Sequence, residues 1–160
     1  GVPHIELDAM SWLPGWVPRD KDEFRALARA ATDADAWVVD GNYTTDLGDL
    51  LSERAELVVW LDLPLHRTLA RMLARSWRRW RTREVLWGMN VERFWPHLVL
   101  WDSKRSLLAY SITTHRRRRA QSMARMRDPR WSAVRFVRLT SPRQVERFVA
   151  SVTASVEATA

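Results

Sequence analysis

The chain has 160 residues, 46% of them hydrophobic and 28% charged, which suits one compact domain with a buried core and excludes a disordered segment. Its longest unbroken apolar run is Leu57–Leu61, so no stretch reaches the roughly 20 apolar residues that a membrane-spanning helix needs. The absence of cysteine excludes disulfides, thiolate metal sites and a cysteine nucleophile and fits a reducing, cytoplasmic setting, while the net charge of +7 favours an anionic partner.

The patterns alternate between strand and helix. His4–Leu7 reads as a short strand ending at Asp8. Asp20 or Asp22 caps a helix running to about Thr32, in which Phe24, Leu27, Ala28 and Ala31 recur at helical spacing. Trp37–Val39 is a second strand, stopped by the turn signal Asp40-Gly41-Asn42. Leu57–Leu61 is apolar throughout, the mark of a strand buried on both faces, and ends at Asp62-Leu63-Pro64. From Leu65 to Met126 the signal is helical but uneven: an apolar stripe of Leu69, Met72 and Leu73 gives way to a basic and aromatic stretch from Trp77 to Arg83. Breaks follow at Trp87-Gly88-Met89-Asn90 and Phe94-Trp95-Pro96, and an apolar helix from Leu98 to Ile112 runs into His115 and Arg116–Arg119. Residues 76–119 read as a helical lid inserted in the core. Val134–Leu139 is the last strand, and Ser141-Pro142-Arg143-Gln144 is a capping box opening a final helix. This order predicts a single α/β domain over residues 1–160 with a largely parallel sheet.

Charge falls in blocks. Residues 1–65 hold 13 acidic against 5 basic side chains, and residues 66–138 hold 19 basic against 4 acidic. Such an arrangement suits carboxylates that hold a metal or a hydroxyl beside arginines that gather an anion, of which phosphate is the commonest. It equally suits solvated arginine on helix faces, since 24 of the 26 basic residues are Arg.

Three strand candidates end at an aspartate. In parallel α/β sheets ligands bind at the carboxyl ends of the strands, which makes these carboxylates candidates. Asp40 is read either as a ligand to magnesium-bound water or as a turn residue before Gly41. Asp8 is read as a contact to a hydroxyl or a metal, or as a cap. Asp62, before Leu63-Pro64, is read as structural.

Asp62-Leu63-Pro64 followed by Arg71 and Arg75 resembles the strand and arginine-bearing helix of adenylate kinase-like P-loop kinases. The resemblance extends to Val2–Asp8 with Trp12 and Pro14-Gly15-Trp16, to Trp37–Tyr43, and to Glu84–Asn90. Together these are similar to the bacterial subgroup labelled DNA topology modulation proteins, over about residues 1–150. The resemblance implies a three-layer P-loop kinase-like parallel sheet and phosphoryl transfer from ATP with Mg2+ to a nucleotide or another small acceptor. Arg71, Arg75, Arg117, Ser141 and Pro142 would meet the nucleotide. Asp8, Trp12, Trp16, Gly41, Asn42 and Tyr43 would line the acceptor side. Asp40 would order the metal's water, Asp8 would position the acceptor, and Arg71, Arg75 and Arg116 would stabilise charge.

The phosphate-binding pattern G-x-x-x-x-G-K-[ST] does not occur, since neither lysine follows a glycine. In the family that motif lies on the first, central strand, so the resemblance implies that the sequence is cut just before Gly1 and that its sheet lacks that strand. A chain of this kind is expected to be inactive with ATP by itself. Two other readings fit the same residues. One is a nucleic-acid-binding module built on the Arg- and Trp-rich segments 77–83 and 116–119. The other is a noncatalytic remnant of a P-loop protein.

Overall fold

The computed structural model describes residues 2–99, 101–102 and 106–157. In chain order the elements are β1 (His4–Glu6), α1 (Leu7–Ser11), β2 (Trp12–Leu13), β3 (Val17–Pro18), α2 (Lys21–Ala31), β4 (Val38–Asp40), α3 (Thr44–Leu47) and β5 (Leu57–Leu61). There follow α4 (Leu65–Thr82), β6 (Val85–Leu86), β7 (Asn90–Val91), α5 (Leu107–Arg127), β8 (Arg135–Leu139) and α6 (Pro142–Glu157). The protein is mixed α/β, as the alternation predicts. Its parallel strands do not join into one sheet among the described residues: β1 pairs with β4 and β5 with β8, while β2–β3 and β6–β7 are antiparallel hairpins.

The residues sort into two compact units, 1–56 with 78–92 and 57–77 with 93–160. The stretch 76–119, read as a lid, is divided between them. It takes in the end of α4, the β6–β7 hairpin and the first half of α5; its residues 100 and 103–105 lie outside the described residues.

In the first unit the parallel pair is two strands wide, and helices supply its core. Leu7 and Leu47 are fully buried, and Ile5, Phe24, Ala28 and Leu50 close around them. Phe24 and Ala28 reach that core together because they lie one helical turn apart on α2. Asp20 starts α2 as predicted, its carboxylate accepting from the N–H groups of Asp22 at 2.9 Å and Glu23 at 3.2 Å. Beyond β4 the chain passes so close to Leu7 that a Cβ on Gly41 would stand 2.8 Å from the Leu7 Cβ, and Gly41 has φ 138°. Both facts require glycine there.

In the second unit β5 and β8 pair over their full five residues, from Leu57 with Arg135 to Leu61 with Leu139. The apolar run of β5 is not buried on both faces as its composition predicts: Leu57, Val59 and Leu61 are exposed and only Val58 and Trp60 are half-buried. Burial on both faces needs cover on both sides of the sheet, and within this unit one side is open. The helix expected from Leu98 begins instead at Leu107. Leu98 ends a 3-10 turn containing Pro96, and the Ser106 hydroxyl caps α5 by accepting from the Ala109 N–H at 3.2 Å. α6 begins at Pro142 as predicted, and Gln144 accepts at 2.6 Å from the N–H of Thr140, one residue earlier than a standard capping box uses.

Gly41→Ala must both push against the buried Leu7 and hold a side chain at a positive φ. We expect it to lower unfolding free energy by about 3 kcal/mol, read as a shifted urea midpoint with an unchanged slope; a loss within error of zero would refute the close approach.

Candidate functional site

The first unit brings several of the expected acceptor-side residues to the carboxyl end of the β1–β4 pair. Glu6 and Asp40 are opposite each other in register as the last residues of their strands. Both are exposed, as is Asp8 in the first turn of α1. The Tyr43 hydroxyl donates to Asp8 Oδ1 at 2.5 Å, and it lies 2.7 Å from the hydroxyl of buried Ser11. A tyrosine has one proton; with that proton committed to Asp8, Tyr43 Oη accepts from Ser11. Burial, and then the hydrogen bond given to Asp8, push the Tyr43 hydroxyl well above the ordinary tyrosine range. Gly41 and Asn42 form the exposed link between β4 and Tyr43.

An aromatic group adjoins these residues in the chain. Trp16 meets Trp12 edge-on at 5.7 Å and Trp87 at 5.8 Å. The Trp87 indole N–H donates to Glu6 Oε2 at 3.0 Å, and that of Trp16 to the Val91 carbonyl at 2.9 Å. Buried Asn90 ties the loop between β2 and β3 to the β6–β7 hairpin: its Oδ1 accepts from the Trp16 N–H at 2.9 Å and its Nδ2 donates to the Leu13 carbonyl at 3.1 Å. Trp16 and Trp87 have φ of 63° and 50°, a region that non-glycine residues rarely occupy and that these contacts hold in place. Trp12, Trp16 and Tyr43 were legible as site candidates. The roles of Ser11 and Glu6 were not, because a serine and a strand-end glutamate carry no pattern of their own. Asn90 was visible only as part of a break in the helical signal.

The expected nucleotide-side residues lie in the second unit. Arg71 and Arg75 are exposed on α4, Arg116 and Arg117 on α5, while Ser141 and Pro142 are half-buried at the start of α6. α4 and α5 touch where the Ser111 hydroxyl donates to the Met72 sulfur at 3.8 Å. Arg119, from the same arginine run, and Arg138 on β8 both donate to Asp62.

Among the described residues no group of three or more His, Asp or Glu is placed to hold a metal ion, and no helix is long and apolar enough to cross a membrane. Asp40 is an exposed carboxylate at the end of β4. A triphosphate has no matching cradle: of the four described glycines, at 15, 41, 48 and 88, none precedes a lysine. Comparison with protein families, with curated proteins and with solved structures finds no match.

Because the folded state raises the Tyr43 pKa above the unfolded value of about 10, folding is favoured while the hydroxyl stays protonated. That contribution is complete below pH 10 and is lost as pH rises beyond it. We expect Tyr43→Phe to cost about 1 kcal/mol at pH 7 and to flatten the fall in stability above pH 10, measured by urea unfolding from pH 8 to 11. Parallel pH curves for the two proteins would refute the buried, bonded hydroxyl.

Proposed function

We propose that the chain is the acceptor-binding and arginine-bearing part of a P-loop kinase-like phosphotransferase acting on a nucleotide or another small hydroxyl compound. The observation that carries this reading is the bond between Tyr43 and Asp8 just beyond the carboxyl ends of a parallel strand pair, where α/β enzymes bind ligands. The second pair, β5–β8, also runs parallel and is followed by Asp62 and by the opening of α6.

In this reading Asp8 does the positioning. Its Oδ1 is held by Tyr43, which leaves Oδ2 to accept the proton side of an acceptor hydroxyl and turn the oxygen toward the reacting group. Trp12 and Trp16 bound the acceptor, and Asn42 and the Gly41 backbone flank it. Arg71, Arg75 and Arg116 suit phosphate oxygens, being always charged and able to bind two oxygens at once. Asp40 would hold the magnesium ion, which supplies charge neutralisation when bound.

The test is calorimetric titration with ATP, with and without magnesium, of the 160-residue chain and of a longer protein in which a strand and helix carrying G-x-x-x-x-G-K-[ST] precede it. We expect magnesium-dependent binding by the longer protein only, and a loss of turnover on the order of 10²-fold in its Arg75→Ala variant. Binding by neither, with DNA binding by both that weakens by about 0.9 in log affinity per phosphate for each unit of log salt, would replace the kinase reading with a nucleic-acid-binding one. That second reading draws on the 17 basic against 5 acidic residues of the second unit.

A further inference from the structure

The second unit holds a half-open cavity of about 280 Å³ at the carboxyl end of the β5–β8 pair. Its floor is the carboxylate of Asp62, only 6% exposed. A carboxylate withdrawn from water needs compensation, and two guanidinium groups provide it: Arg119 Nε donates to Oδ2 at 3.1 Å and Arg138 Nε at 2.8 Å, with Arg138 Nη2 on the same oxygen. Two cations on one oxygen overcompensate one anion, so the cavity keeps a net positive charge.

The donors that remain point to what would answer it. Among the described residues, neither Nη group of Arg119 nor Nη1 of Arg138 has a hydrogen-bond partner, and the side chains are 52% and 29% exposed. The Arg138 guanidinium also lies over the Trp60 ring, 5.1 Å from the centroid, which favours this orientation. Preorganised guanidinium groups lose little freedom on binding and match the oxygens of phosphate. His115, one helical turn before Arg119 on α5, lines the same cavity. Thr140 also lines it, and α6 starts two residues later with the positive end of its dipole. Leu63 and Pro64 make one wall apolar.

We propose that this cavity is a binding site for phosphate, free or as the phosphoryl group of a small ester, held between Arg119 and Arg138 with Asp62 setting their geometry. It uses none of the arginines named in the phosphotransferase reading, although Thr140 adjoins Ser141 and Pro142, which that reading gives to the nucleotide. Asp62 also acts as a competitor, because it occupies donors that the ligand would otherwise share.

The test is NMR detection of the arginine Nε–H signals during titration with inorganic phosphate and, separately, phenyl phosphate, in the 160-residue chain at constant ionic strength. The Arg119 and Arg138 signals should shift in a saturable manner. Arg119→Gln, which leaves Arg138 to hold Asp62, should weaken phosphate binding about tenfold or more, whereas Arg127→Gln, eight residues along α5, should not. Asp62→Asn should tighten binding by about fourfold, since it removes a negative charge from the site. A merely structural role for Asp62 would give no tightening. Equal affinity for both ligands marks free phosphate as the occupant, and tighter binding of phenyl phosphate marks an ester resting on Leu63 and Pro64. Absence of a saturable shift, equal weakening by Arg119→Gln and Arg127→Gln, or no gain from Asp62→Asn overturns the proposal.

Discussion

A parallel strand pair has no tight turn to join it and, at two strands wide, little surface with which to hold itself together. Both units of this protein are arranged around that constraint. In the first, the chain leaves β1 directly into α1, so that Leu7 is fully buried against the strand pair and the link after β4 is drawn in to Gly41. α2 then presents Phe24 and Ala28 to the same core. In the second, the five-residue ladder of β5 and β8 is extended by the Asp62 N–H, which donates to the Leu139 carbonyl at 2.9 Å. The Asp62 side chain then binds β8 and α5 through Arg138 and Arg119. The same tightening that holds each pair gathers polar side chains at its carboxyl end.

The charge of the two units differs in sign. The first has 14 acidic and 9 basic residues, the second 5 acidic and 17 basic. A surplus of like charge destabilises a compact unit by self-repulsion unless a counterion relieves it. In the second unit the surplus is not spread evenly: Asp62, with a side chain only 6% exposed, draws two arginines to one oxygen. Arginine suits this role better than lysine, because it can give one or two donors to Asp62 and still present others.

What the sequence made legible is what short-range chemistry decides. The cap of Asp20 on α2, proline at the first position of α6 and the strands at 38–40, 57–61 and 135–139 follow from neighbouring residues. The long-range pairings were hidden. Asp62 and Arg138 are 76 residues apart, Trp87 and Glu6 81 apart, and such contacts depend on register and packing that no local pattern encodes. The exposure of β5 was hidden for a related reason: an apolar run reports what a strand tolerates, while its burial depends on which layers cover it. Trp16 and Trp87 were conspicuous as residues but not as backbone, since nothing in a tryptophan announces a positive φ.

Tyr43 illustrates how a contact alters a role. Read as a lining residue, it would offer its hydroxyl to a bound acceptor. In the fold that hydroxyl is spent: it gives its proton to Asp8 and takes one from Ser11. Tyr43 also packs edge-on against Phe24 at 5.0 Å, so its ring belongs to the core of the first unit. The hydroxyl therefore connects a rigid interior to an exposed carboxylate. Asp8, on a helix of only five residues, gains from that connection an orientation its own element could not fix. One of its oxygens is tied to the core and the other is left to solvent or ligand. A carboxylate so held can direct a hydroxyl with little loss of freedom on binding, which is the property a positioning group requires.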